Sequence, residues 1–504
     1  MSRINTNTSS MIAQTNLAKN NKSLNTTLER LSTGLRINRG KDDPAGLIAS
    51  ERLRSEKAGL DAAIGNAERA DQIANIAEGG LQEVSNLLTD LKGLVTATAN
   101  GAGLSTEEKQ ANQLQIDSIL QTVDRISDST NFQGVKLLNG NLDFTTSSVS
   151  ANVADFKVNA AKLNAGATMA VTANVTTSAQ RGAMQIDFNA AGITTTGGNL
   201  FTIEVAGASG SREFSFSSGT TMAQAVTAIN SFKDVIGVSA AAVSTSGLDI
   251  RSTEFGSDNF VSVKVIAAAG VAGATLDVGG ATTAYTYTAG TAVATGATVR
   301  DVGQDIGGTI NGVLGTGKGR VLRVSSDFLD TEVNLTAATA GAAGATTAFQ
   351  ITGGGATFQL SSKVDIGGKT ALGIQSIAAR KLGRTEFASA PTSRFLSDLA
   401  SGKSLNVVNG DLSGGAKVVD EAIKQVSALR GRLGAFQKNT IGSTINSLNV
   451  SVENSSAAES VIRDADFASE TASLTRGQIL AQAAANSLSL SNAQPQQALS
   501  LLRG

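Results

Sequence analysis

Leu17, Leu24, Leu28, Leu31 and Leu35 fall seven, four, three and four residues apart, which places all five on one narrow helical seam. The other faces carry Asn, Ser, Thr and Gln, residues of weak intrinsic helicity. A polar helix with a single leucine seam needs something to pack on in water. At the far end Phe467, Leu474, Ala481 and Leu488 recur every seven residues, and Leu499, Leu501 and Leu502 close the chain. Either seam alone reads as an ordinary amphipathic helix on a globular core. Two of them, at opposite ends, predict terminal helices that pair. Having so little core of their own, they are also expected to pack against other copies of the chain.

Between these ends the pattern divides the chain. Gly34 and Gly40 stop the first helix, and Asp43 with Pro44 starts the next as N-cap and first helical residue. Nothing breaks that helix before about Ala99, a length of ~80 Å that implies a rod. Its expected packing seam is Val84, Leu87, Leu91 and Leu94. Ser105 and Glu108 form a capping box for a third helix carrying Leu114, Ile116, Ile119, Leu120, Val123 and Ile126. Helical pattern returns near Leu405, with Val426, Leu429, Leu433 and Phe436 on one seam. Ile441, Ile445, Leu448 and Val452 continue it after a slip of one residue. Ser456 and Glu459 read as a second capping box, opening the final helix. If the middle is a single excursion, the long C-terminal helix runs antiparallel to the long N-terminal one.

The middle, about 141–400, is rich in Thr, Ser, Ala, Gly and Val. Alternation at Phe201, Ile203 and Val205, a turn over Gly207 to Ser211, and Phe214 with Phe216 predict a β-hairpin. Met222 to Phe232 reads as a short helix, with strands near Leu248 and over Phe260 to Val265. Thr309-Ile310-Asn311 echoes Ala228-Ile229-Asn230, and Leu322-Arg323-Val324 echoes Leu248-Asp249-Ile250, so two related α+β modules are expected. Val265 to Val299, with Asp277 as its only charge, suits either a β-rich surface or a flexible insertion. The fold class is therefore α + β and multidomain. A terminal coiled-coil domain is expected from 1–43 and 460–504, a helical rod from 44–140 and 401–459, and a β-rich region from 141–400.

Composition narrows the chemistry. Lys and Arg number 41 against 42 Asp and Glu, a net charge of -1, so no basic footprint for nucleic acid exists. Zero His and zero Cys exclude the usual zinc sites and the Ser-His and Cys-His nucleophile pairs. Gly353 to Gly355 lacks the following Lys of a phosphate loop. Glu107-Glu108 and Asp42-Asp43 are explained as charge at helix N-termini rather than acid–base pairs. No stretch reads as a secretory signal or a membrane span. No enzymatic activity, metal or cofactor is expected.

The residues Leu31-Ser32-Thr33-Gly34-Leu35-Arg36-Ile37-Asn38 and Lys41-Asp42-Asp43-Pro44-Ala45-Gly46 resemble the opening signature of bacterial flagellin. Asn131 to Leu138, Ile462-Arg463-Asp464-Ala465-Asp466-Phe467, and the closing Pro495-Gln496 with Leu499 to Leu502 are similar to flagellin segments in the same order. The resemblance covers about residues 1–140 and 405–504. It implies a secreted subunit that polymerises with itself into the hollow flagellar filament used for swimming. The terminal helices would form an inner tube and the rods an outer one, with the middle projecting outward. Implied partners are further copies, the flagellar export machinery, an export chaperone and the filament cap. The alternatives are a hook–filament junction protein of the same apparatus, or a surface adhesin or glycan-bearing filament protein. Some flagellins resemble zinc proteases in their middle region, but that site needs HExxH, which a chain without histidine cannot supply. The resemblance also implies a contact region for the host innate flagellin receptor over Leu88 to Asn100. Leu94 and Lys92 match it there, but Asp90 stands where strongly detected flagellins carry arginine and Gln115 where they carry glutamate. Reversed charge at the first position implies weak detection.

Overall fold

Pro44–Thr98 forms one helix of 55 residues, about 82 Å long at 1.5 Å per residue. From Leu60 onward its buried positions are Leu60, Ala63, Ala67, Ala70, Ala74, Ala77, Leu81, Val84, Leu88, Leu91, Val95 and Thr98, none more than 6% exposed. They alternate by three and four without a break, which makes one continuous heptad seam. This corrects the expected seam: Val84 and Leu91 lie on it, but its other members here are Leu88 and Val95, while Leu87 and Leu94 are half-buried at its edge. Alanines fill the seam from Ala63 to Ala77, all of them buried, and side chains that small permit a close approach of a covering helix.

This computed structural model describes every residue except 1–5, 101–102, 165, 189–191, 196–197, 269–270, 272–273, 280–286, 388–389 and 504. The principal helices are α1 (Thr8–Thr33), α2 (Pro44–Thr98), α3 (Thr106–Ser129), α4 (Met222–Asn230), α5 (Leu412–Ala435), α6 (Gly442–Arg463) and α7 (Phe467–Arg503). The chain packs as two compact units. The first comprises Met1–Gln72, Gln359–Gly368 and Gly434–Gly504; the second comprises Ile73–Phe358 and Lys369–Leu433.

In the first unit α6 runs antiparallel to α2. Lys57 Nζ donates to Ser456 Oγ at 3.3 Å, Arg54 pairs with Glu459 at 3.7 Å, and Gln437 Nε2 donates to Asp71 Oδ1 at 3.1 Å. Ser456 and Glu459 therefore lie inside α6, not at the start of a helix. The final helix opens at Phe467 instead, where Asp466 Oδ1 accepts from Ala468 N at 2.9 Å. A π-helical turn over Phe436–Ile441 precedes α6, and Gly442 N donates to Gln437 O, five residues back. One π turn absorbs one extra residue. It is the physical form of the slip between Phe436 and Ile441, both of which stay buried.

In the second unit α5 is antiparallel to the rest of α2 through Lys92–Asp420 at 2.6 Å and Arg430–Glu78 at 2.8 Å. Helix α3 has its predicted capping box and buries Gln113, Ile116, Leu120, Val123 and Ser127. Leu114, expected on that seam, is 69% exposed. The buried Gln113 holds a loop: its Nε2 donates to Leu399 O and its Oε1 accepts from Val407 N, both at 2.9 Å.

The β-rich middle contains two hydrophobic cores, each between a five-stranded and a four-stranded antiparallel sheet. Strands drawn from 144–177 and 307–354 build one core, and strands drawn from 183–302, with α4, build the other. The second is inserted into the first rather than following it. The predicted hairpin is present, with Phe201 opposite Phe216 and Gly207 opposite Gly210. The two Ile-Asn echoes differ in backbone. Asn230 ends helix α4, whereas Asn311 sits in a hairpin turn with φ of 49°. Their side chains nevertheless do one job. Asn230 donates to and accepts from the Ala240 backbone, and Asn311 donates to Ala170 O and accepts from Thr172 N. Each amide clamps a neighbouring strand while the isoleucine before it is fully buried. The segment left open over Val265 to Val299 contains strands Thr275–Gly279, Tyr287–Ala292 and the start of Thr298–Val302, with part of it outside the described residues.

Candidate assembly interface

Helices α1 and α7 pair antiparallel. Asn7 Nδ2 donates to Ser491 O at 2.8 Å, Asn20 Nδ2 donates to Leu480 O at 3.2 Å, and Arg30 pairs with Glu470 at 3.1 Å. The asparagines that weaken α1 as an isolated helix thus cross-link it to its partner. Ala13, Leu17, Asn20, Leu24, Thr27 and Leu31 are the buried or half-buried seam of α1, again in steps of three and four. On α7 the seam holds Leu474, Gly477, Ala481, Ala484 and Leu488, all half-buried. A Cβ at Gly477 would stand 3.2 Å from Leu24 Cδ1, so the pair is close there.

Two predicted seam residues lie elsewhere. Leu28 is 43% exposed because Thr27 occupies its heptad place, and Phe467 is 67% exposed at the first turn of α7. Met11, Ile12, Ile479 and Leu490, at 60–65%, are exposed with them. One face of each helix meets the other, and large apolar side chains remain on the outer faces. Monomeric proteins rarely leave so many together. The side chains of Leu499, Leu501 and Leu502 lie outside the described residues.

The chain enters and leaves this pair through one two-stranded crossing. Gly34 caps α1 in the left-handed region, and Leu35 bridges Asp464. Arg36 N donates to Arg463 O at 2.7 Å, Ala465 N to Gly34 O at 2.9 Å, and Arg36 Nη2 to Ile462 O at 2.6 Å. Asp42 Oδ2 accepts from Asn38 N and Arg39 N, and Asp43 Oδ1 accepts from Gly46 N at the head of α2. Backbone donation from Arg39 lowers the Asp42 pKa. Ile37 is 1% exposed beneath the crossing. The glycine- and aspartate-rich motifs near residues 34–46 and 462–467 are therefore two halves of one structure.

The remaining predicted residues separate by burial. Val84, Leu91, Leu429, Leu433 and Phe436 are packed, as is Leu88 at 0% exposure, which removes Leu88 from any receptor-facing surface. Asp90 and Gln115 are exposed, Lys92 is exposed and paired with Asp420, and Leu94 is half-buried. Among the described residues no group of three acidic side chains is placed to hold a metal ion, and no helix is long and apolar enough to cross a membrane.

Both ends of the chain return to pair as helices around an inserted β-rich middle, which defines a two-ended coiled-coil protein with a central insertion. Family models for the bacterial flagellin N-terminal helical region, the bacterial flagellin C-terminal helical region and the flagellin hook IN motif match residues 4–143, 416–502 and 201–254. Flagellin of Salmonella rubislaw is 31% identical over 99% of both chains. B-type flagellin of Pseudomonas aeruginosa is 29% identical over 99% of both. Polar flagellin F of Vibrio parahaemolyticus is 42% identical over 27% of this chain and 36% of its own. The chain belongs to the bacterial flagellin family. A structure of FliC from Burkholderia pseudomallei covers 73% of this chain and 99% of its own at 17% identity, a loose superposition with a TM-score of 0.24. The family is one of structural subunits of the flagellar filament, an extracellular polymer, and not of enzymes.

Proposed function

We propose that this chain polymerises with itself, through the outer faces of α1 and α7, into the helical filament that drives swimming. The observation supporting this reading is the set of exposed apolar residues, Met11, Ile12, Leu28, Phe467, Ile479 and Leu490, left on two helices that already bury one face against each other. Burying a leucine side chain contributes about 1.5–3 kcal/mol, so a few such residues per copy favour association strongly. Contacts that pair different patches on successive copies do not close and build an open fibre. The export machinery, an export chaperone and the cap are the partners this role entails. Seeded polymerisation of the purified chain, followed by electron microscopy, tests the proposal. Long filaments of uniform diameter are expected, and Leu28→Asp should abolish them while leaving the monomer's helix content near that of the parent. Filaments formed equally well by Leu28→Asp would remove α1 from the interface.

A further inference from the structure

The chain passes between the two β cores of the middle twice, over 178–182 and 303–306. Across these linkers Gln180 N donates to Gln304 O at 2.8 Å, and Gln304 N donates back to Gln180 O at 3.0 Å. Two linkers with little else between the cores would leave them free to swing, the default for domains that share a small interface. Here the glycines of the crossing give closeness instead of freedom. A Cβ at Gly303 would stand 2.5 Å from Gly256 O and 2.7 Å from Gln180 O. A Cβ at Gly256 would stand 2.5 Å from Asp305 Oδ1 and 2.8 Å from Gly319 Cα. Linker, inserted core and first core therefore meet backbone to backbone.

Two side chains fasten that meeting point. Asp305, on the second linker, accepts from Ser257 N and Ser257 Oγ on the inserted side, and from Gly319 N at 2.7 Å on the other. Phe255 belongs to the inserted segment yet packs on the core built from 144–177 and 307–354. Two guanidinium groups lie over its ring, Arg181 of the first linker at 4.5 Å and Arg320 of the first core at 5.4 Å. Such contacts favour one placement of the ring over others.

Both cores also reach the rod. Arg432 of α5 ties the first core to it through Asn159 and Gly373 O. Asp234, in the helical turn Lys233–Ile236 of the inserted core, pairs with Lys417 of α5 at 2.8 Å, with both side chains about half exposed. An exposed ion pair contributes little and is screened by salt, so it is too weak to hold a whole core in place.

We propose that the crossing is a lock, in which Phe255 and Asp305 fix the inserted core in one orientation against α5. The Lys417–Asp234 pair follows from that orientation and does not create it. The inserted core is then carried by the first core and α5 as one rigid body. The lock acts within a single chain and needs no polymerisation.

The chain contains no cysteine, so spin labels can be placed through Ala223→Cys in the inserted core and Ala338→Cys in the first, both at exposed positions. Double electron–electron resonance on the monomer should give one narrow distance distribution. Phe255→Ala and Asp305→Ala should each widen it at least about twofold, while Lys417→Glu or high salt leaves it as it was. Asp305 lies outside both hydrophobic cores, so Asp305→Ala reads the lock even where circular dichroism shows that Phe255→Ala has unfolded the first core. A broad distribution in the parent, no widening by Asp305→Ala, or equal widening by Lys417→Glu would overturn the lock.

Discussion

Asp143 sits half-buried at the edge of the β-rich middle, its Oδ1 accepting from Phe144 N at 2.8 Å. Burial pushes its pKa above the usual 3.8, against the lowering effects of that hydrogen bond and of Arg432 and Lys381. A carboxyl with a raised folded pKa favours the folded state below its unfolded value, and that contribution is lost as pH rises through the folded value. Asp143→Asn keeps an acceptor for Phe144 N and removes the charge. It should therefore raise the melting temperature at pH 7 and change it little at pH 3, as read by thermal unfolding at both. An unchanged melting temperature at pH 7 would mean that Arg432, itself held by Asn159 and Gly373 O, offsets the burial fully. Adjacent glycines of α2 make a second contrast. A Cβ at Gly79 meets nothing within 4 Å, whereas at Gly80 it would come within 2.8 Å of Leu138 Cδ1 and Thr130 Oγ1. Gly79→Ala should stabilise the monomer by about 1 kcal/mol. Gly80→Ala should destabilise it by about 1–3 kcal/mol. Urea titrations of the two variants would check the signs.

At the scale of elements, the seams explain why the long helices hold together. Helix α2 keeps one unbroken heptad, while the segment facing it from α5 through α6 keeps phase only by inserting the π turn at Phe436–Ile441. Removing one residue there, such as Lys438, sets Phe436 and Ile441 four apart and lets a regular α-helix join α5 to α6. That deletion should leave the melting temperature within a few degrees of the parent. Removing Ser427 instead takes Val426 and Leu429 out of phase. It should cost about 3 kcal/mol or more, on the scale of losing a buried leucine. If both deletions proved equally damaging, the π turn would be holding something other than phase.

At the scale of the whole molecule, the two ends depend on few residues. Among the described side chains of α1 only Ala13 and Thr27 are buried, and those of α7 are half-buried at most. Helices α1 and α7 hold 26 and 37 residues, and ordering about sixty residues costs ~60 kcal/mol or more in backbone entropy, which so few buried groups offset only narrowly. The ends of the free monomer should therefore open readily. Limited proteolysis is expected to trim residues 1–40 and 460–504 from monomers and to spare them in filaments. Equal protection in both would show that the α1–α7 pair is stable by itself.

Much of this architecture was legible along the chain, because caps and periodicity act over a few residues. Gly34, Asp43 with Pro44, Ser105 with Glu108, and the one-residue slip after Phe436 each name a local backbone event, and each is present. Even the Ile-Asn pairs marked a real chemistry, an amide clamping a neighbouring strand. Other features depended on which surfaces face each other. The half-buried Leu87 and the buried Leu88 differ by one residue and 100° of helix, as do the buried Thr27 and the exposed Leu28. Only the partner helix chooses between the members of each pair. The alanines from Ala63 to Ala77 carry too little apolar surface to stand out until another helix covers them. Ser456 and Glu459 have the spacing of a cap, yet a hydrogen bond from Lys57 and ion pairing with Arg54 keep them within α6. The insertion of one β core into another joins strands more than a hundred residues apart, such as those of Thr172 and Thr347, and no local pattern encodes that pairing. By itself the sequence determined the caps at Gly34, Asp43 and Ser105 and the change of phase after Phe436; the tertiary structure decided which face of each helix is covered, because burial is a property of two surfaces and not of one.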